Sequence, residues 1–107
     1  IGRLVAGVTN AAGTGANYLY YPLGIYVDAN KTIYIADCYN HRIQRWLWGA
    51  TSGTTVAGVT QSPGPWSYQL KYPTSVNFDQ NGYMYVMDAG NNRVQRWTIG
   101  STYGVTL

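Results

Sequence analysis

The sequence has little charge and a narrow set of reactive side chains. Its 107 residues include no glutamate, one cysteine and one histidine, and charged residues make up 10% of the total, against roughly 25% in ordinary soluble domains. A single histidine argues against a zinc site built within the chain. A single cysteine excludes an internal disulfide. No apolar run approaches the roughly 18 residues of a membrane span, so no membrane partner is expected. No leader-like segment opens the chain at Ile1, which points to a mature product or a piece of a longer protein. What is abundant is neutral: 11 tyrosines, 4 tryptophans and 13 glycines. A surface of tyrosine, threonine, asparagine and backbone is common outside cells, and an extracellular location is the expectation.

The second observation is an internal repeat. Residues 5–55 align without a gap onto residues 56–106, a spacing of 51, and 22 of the 51 pairs are identical. Such a period belongs to solenoids, arrays and propellers. The repeat also explains the charges. All four aspartates and four of the five arginines recur in register as Asp28/Asp79, Asp37/Asp88, Arg42/Arg93 and Arg45/Arg96. They belong to the architecture of the unit. Only Arg3, Lys31 and Lys71 remain, too few for the clustered cations of a nucleic-acid footprint. Cys38 is matched by Ala89, so the unit does not need the thiol, and a small buried side chain is expected there.

Each unit reads as four short strands. In the first they are Gly24–Val27, Thr32–Ala36, Arg42–Trp48 and Thr54–Ala57, separated by turns at Asp28–Lys31, Asp37–Asn40 and Gly49–Gly53. The second copy turns at Asn81-Gly82, a strong hairpin signal, and a long connection from Gly58 to Tyr72 joins the two. No helical period is present. Four antiparallel strands per repeat describe a propeller blade: an all-β chain of two blades, part of a larger closed or polymeric assembly. Residues 1–7 are expected to be the outer strand of a preceding blade, 8–58 the first blade and 59–107 the second. The strands carry apolar residues on both faces, so each sheet must lie between neighbours.

The run Tyr-Pro-x-Gly-Ile-x-Val-Asp, a turn, Ile-Tyr-Ile-Ala-Asp and Asn-His-Arg-Ile-Gln-Arg-Trp resembles an NHL repeat, the blade of NHL β-propellers. The second copy departs from it with Ser75 for Gly24 and Asn92 for His41. The resemblance implies rings of about six blades, so two blades require the rest of a longer chain or further copies, in a ring or a filament. It also implies loop faces that bind proteins or RNA, and in some members lyase chemistry at metal-binding histidines. This chain has no comparable histidine set.

Candidate chemistry is weighed against architecture. Asp37, Asn40 and Arg42, copied as Asp88, Asn91 and Arg93, are expected to form a turn and latch, with Asp and Asn capping the turn and Arg folding back onto Asp. Calcium would need several carboxylates to converge with carbonyls. No cofactor, no metal and no catalytic residue is expected, and the chain is read as non-enzymatic. Asn30-Lys31-Thr32 is an N-glycosylation sequon at a hairpin tip. The loop face would display Asn17, Tyr18, Tyr39, His41, Trp66, Tyr68 and Asn92, the aromatic and amide composition of a binding surface suited to protein or glycan. The leading expectation is an extracellular structural or interaction module that associates blade to blade. The contrasting ones are a ligand-recognising propeller fragment and, as the resemblance implies, a piece of a metal-dependent lyase.

Overall fold

A computed structural model describes residues 2–107; Ile1, assigned above to the outer strand of a preceding blade, lies outside the described residues. Two four-stranded antiparallel sheets follow one another along the chain. The first contains β1 (Pro22–Val27), β2 (Ile33–Asp37), β3 (Arg42–Trp46) and β4 (Thr54–Gly58), paired in that order. The second contains β5 (Pro73–Phe78), β6 (Tyr83–Asp88), β7 (Arg93–Thr98) and β8 (Gly104–Thr106). These are the two blades, here blade 1 and blade 2.

The strand limits differ from expectation where local chemistry intervenes. β3 ends at Trp46 and does not reach Trp48, because the chain turns there: Ala50 N–H donates to the Leu47 carbonyl at 3.0 Å and Gly49 sits at φ 80. β1 begins earlier, at Pro22, after a bulge between Pro22 and Gly24. Both hairpin tips are closed by an aspartate whose Oδ1 accepts two backbone N–H groups, Asn30 and Thr32 on Asp28 and Asn81 and Tyr83 on Asp79. The left-handed residue that each tip needs is Gly82 (φ 84) in blade 2 and Lys31 (φ 64) in blade 1.

The core lies between the sheets. Tyr34, Ala36, Ile43 and Ala57 of blade 1 face Val76, Met84, Val86 and Trp97 of blade 2, with Leu70 of the connection, in one buried cluster. Tyr26 and Phe78 close its rim, with ring centroids 5.0 Å apart. Full burial of an aliphatic or aromatic side chain is worth about 1.5–3 kcal/mol, so this shared layer outweighs any surface contact in the molecule.

On the far side of blade 1, Ile33, Ile35 and Trp46 form a second cluster, flanked by Ala6, Leu19 and Ala50. In the repeat these correspond to Met84, Val86, Trp97, Ala57, Leu70 and Ser101. Residues 4–7 therefore lie over blade 1 in the place that residues 55–58 take over blade 2. Gly7 (φ 83) and Gly58 (φ 82) even share a backbone conformation. Residues 2–7 pair with no strand among the described residues. Leu23, Ile25 and Val27 of β1 stay open, at 51%, 63% and 53% exposure.

Gly24 shows how close the blades come. A Cβ there would lie 2.6 Å from the Thr74 carbonyl oxygen and 2.7 Å from the Ser75 Cα, both backbone atoms that cannot step aside. Its counterpart Ser75 faces the open side of blade 2 and is exposed. The difference between the copies thus follows from which side has a neighbour. Gly24→Ser should lower stability by about 1–3 kcal/mol through overpacking, while Ser75→Gly should change it by less than about 1 kcal/mol. Urea unfolding of both variants checks the asymmetry, and equal losses would contradict it.

Candidate functional site

The turn between second and third strands is a single 3-10 turn in each blade, Cys38–Asn40 and Ala89–Asn91, closed by a left-handed residue, His41 (φ 56) and Asn92 (φ 54). Asp37 stands just before it with its side chain wholly buried. One oxygen accepts the Tyr20 N–H at 2.7 Å; the other accepts Asn40 Nδ2 at 2.8 Å and Arg42 Nε at 2.7 Å. The rest of the Arg42 guanidinium reaches back along the connection. Nη1 donates to the Thr14 carbonyl and to Thr60 Oγ1, each at 3.1 Å, and Nη2 to the carbonyls of Gly15 (3.0 Å) and Tyr18 (2.9 Å). All five donors of the fork are used, which is the geometry that suits arginine and no other cation.

Blade 2 repeats the arrangement. Asp88 accepts from Lys71 N (2.6 Å), Asn91 Nδ2 (2.8 Å) and Arg93 Nε (2.8 Å). Arg93 holds the carbonyls of Pro65, Trp66 and Gln69. The polar groups of the turn are thus consumed in fastening the irregular connection, whose backbone would otherwise be left without partners. Neither carboxylate has an oxygen free to act on a substrate. Among the described residues, no three side chains of the His, Cys, Asp and Glu types come together as a metal would require.

The blades are also tied at this end. Gln61, beyond β4, donates from Nε2 to Asn40 Oδ1 at 2.8 Å and to the Tyr39 carbonyl at 2.9 Å. His41 Nδ1 accepts the Tyr72 N–H at 3.0 Å, and its ring meets the Tyr72 ring edge-on with centroids 4.6 Å apart. Burial lowers the His41 pKa below its usual value, the nearby Lys71 adds to this, and Asp88 opposes it. Cys38 is buried in the turn, and burial, helped by Asp37, pushes its thiol pKa up. It is a weak nucleophile.

The residues expected on the loop face do not form one surface. Tyr39 and His41 meet around Tyr72. Tyr18 is half-buried, its ring packed where a Cβ on Gly13 would fall. Asn17 is exposed beside it. Trp66 is 65% exposed, and its backbone serves the blade 2 latch. Tyr68 borders a cleft with Val56, Trp97 and Tyr103, away from His41. Asn92 is exposed at the corresponding turn of blade 2. Three further tyrosines, Tyr20, Tyr21 and Tyr72, join Tyr39. Tyr21 (φ 54) and Tyr72 (φ 49) are both left-handed immediately before a proline, where sterics favour extended backbone. The signal in the sequence is Tyr-Pro recurring at the repeat spacing; the strain is visible only in the structure.

Asn30 lies at the opposite end of blade 1. It is exposed at the tip between β1 and β2, and its own N–H is one of the two that Asp28 holds.

Comparison with known proteins adds one finding: the family model of the NHL repeat matches residues 19–46. This is the stretch from Leu19, packed at the far-side cluster, to Trp46 at the end of β3. No curated protein matches the chain.

Two measurements check the site. Arg42→Ala would leave a buried carboxylate without its partner, so stability should fall by about 3–5 kcal/mol, read by chemical unfolding; a loss under about 1 kcal/mol would contradict the latch. His41 accepts a hydrogen bond only when neutral. A folded pKa below the free value of about 6.5 means that the folded state disfavours the proton. The His41 contribution is therefore complete above that value and declines as pH falls below it. His41→Asn, copying the blade 2 residue, should flatten this acid decline; an unchanged profile would contradict the assignment.

Proposed function

We propose that this chain, whose residues 19–46 match the NHL repeat, is a non-enzymatic, extracellular interaction module that works by blade-to-blade association, with further copies of itself or with adjacent blades of a longer protein. The observation that supports this reading is the open face of β1. Leu23, Ile25 and Val27 correspond in the repeat to Thr74, Val76 and Phe78, the residues of β5 that lie toward blade 1. Val76 and Phe78 there meet the shared core. Isolated exposed apolar residues need no explanation, but three in register on a surface that its own copy buries do.

The complementary surface of blade 2 is modified. It offers Ser75, Asn77 and Met87 where blade 1 offers Gly24, Tyr26 and Ala36 to its neighbour. A blade that packs there meets a different shape, so adjacent blades with their own complementary residues fit this face better than a strict copy of the internal contact does. Asn30, accessible at the end of the blade away from the latches, supports an extracellular setting in which it carries an N-linked glycan.

Two experiments test this function. Sedimentation of the chain over a range of concentrations should show self-association through the open face of β1, and a well-folded monomer throughout would overturn assembly with further copies. Peptide mass mapping of protein from its native source should find Asn30 modified; an unmodified asparagine in every preparation would remove the support for secretion.

A further inference from the structure

At the turn end of blade 1, where Tyr72 from the start of blade 2 packs against it, four tyrosines form a cluster whose exposed ring surface is used neither by the latch nor by the core between the blades. Tyr39 stands at its centre. Its ring lies 4.7 Å from Tyr21, 5.2 Å from Tyr20 and 5.7 Å from Tyr72, centroid to centroid. The four rings are exposed by 56% (Tyr21), 41% (Tyr20), 44% (Tyr72) and 40% (Tyr39). Side chains filling a core would be covered, and these are not. Their hydrogen bonds run through backbone atoms, Tyr20 N, Tyr39 O and Tyr72 N. Among the described residues, their hydroxyls have no partner.

The cluster is individual to blade 1. Tyr20, Tyr39 and His41 are replaced in blade 2 by Lys71, Gly90 and Asn92. Blade 2 has no room for the central ring, because a Cβ on Gly90 would lie 2.6 Å from the Lys71 carbonyl oxygen. A feature required by the repeat would occur in both copies. The cluster also survives assembly. Tyr72 remains 44% exposed with blade 1 packed beside it, and Tyr21 holds the same position toward a preceding blade.

We propose that this cluster is a binding site for a proline-rich peptide segment in the polyproline II conformation. Three properties of the site select that ligand. First, the rings of Tyr20 and Tyr72 are inclined at 65° and 77° to Tyr39, so the cluster presents ring edges as well as faces, an uneven surface that suits compact pyrrolidine rings better than a flat sugar face. Second, four unpartnered hydroxyls can donate to the bare carbonyls of a polyproline II backbone, which has no internal hydrogen bonds and little order to lose. Third, the site is close to neutral. His41 Nδ1 accepts the Tyr72 N–H, Asp37 and Asp88 are paired with Arg42 and Arg93 in the latches, and Lys71 adds a single positive charge beside His41. So little net charge gives acidic polymers, nucleic acid included, few contacts.

The test is a fluorescence or NMR titration of the chain with a synthetic oligoproline of about ten residues, beside a Gly/Ser peptide of equal length and a neutral cello-oligosaccharide. Tyr39→Gly places the blade 2 residue at the centre of the cluster, and circular dichroism verifies that the fold is kept. The expected result is saturable binding of oligoproline alone, weakened about tenfold or more by Tyr39→Gly, as befits a central aromatic anchor. Absence of oligoproline binding would overturn the proposal, as would equal binding by Tyr39→Gly or equal binding of the Gly/Ser peptide. Oligosaccharide binding that Tyr39→Gly abolishes would assign the site to glycan instead.

Discussion

A sheet that is apolar on both faces cannot stand alone in water, and every other feature of this molecule answers to that constraint. β2 sends Tyr34 and Ala36 to one side and Ile33 and Ile35 to the other, and all four are buried. Blade 2 covers the first side through Val76, Met84 and Val86. On the second side, Ala6 and Leu19 cover only part of the surface, and β1 is left open. The blades must approach closely for this layer to be dry, which is why Gly24 has no side chain. They must also be joined by a long crossing, because the outer strand of one blade lies far from the inner strand of the next.

That crossing creates the second requirement. An irregular connection exposes carbonyls with no ladder to receive them, and the Asp–Asn–Arg turn supplies the donors. Arg42 and Arg93 each gather carbonyls from the preceding connection while their aspartates hold the N–H groups of Tyr20 and Lys71. The buried ion pair is therefore a device for fixing backbone. Its worth lies in specifying one geometry for a segment that has no regular structure of its own.

The blades and their latches were legible in the sequence, because a repeat states the same local choices twice. Alternating strands, the Asn81-Gly82 turn and the doubled Asp…Asn…Arg spacing all agree with one architecture, the consistency expected of a sequence that specifies its fold. Strand ends were less legible: β3 stops at Trp46 because of the turn ending near Gly49 and Ala50, and apolar Leu47 and Trp48 masked it. The aromatic cluster was half visible. Tyr39 and His41 stand out as positions where the copies differ, but Tyr20, Tyr21 and Tyr72 come to them through left-handed backbone and chain reversal, which no periodicity encodes.

The central claim is that each blade is stabilised by its neighbour and not by its own sheet. Hydrogen exchange of the Val86→Ala variant tests it most directly, since Val86 lies in the shared core and belongs to blade 2 alone. Truncating it removes about 1–3 kcal/mol of packing. The account predicts that amide protection falls in β2 and β3 of blade 1 by as much as in β6 and β7. Loss confined to blade 2, with blade 1 unchanged, would contradict it.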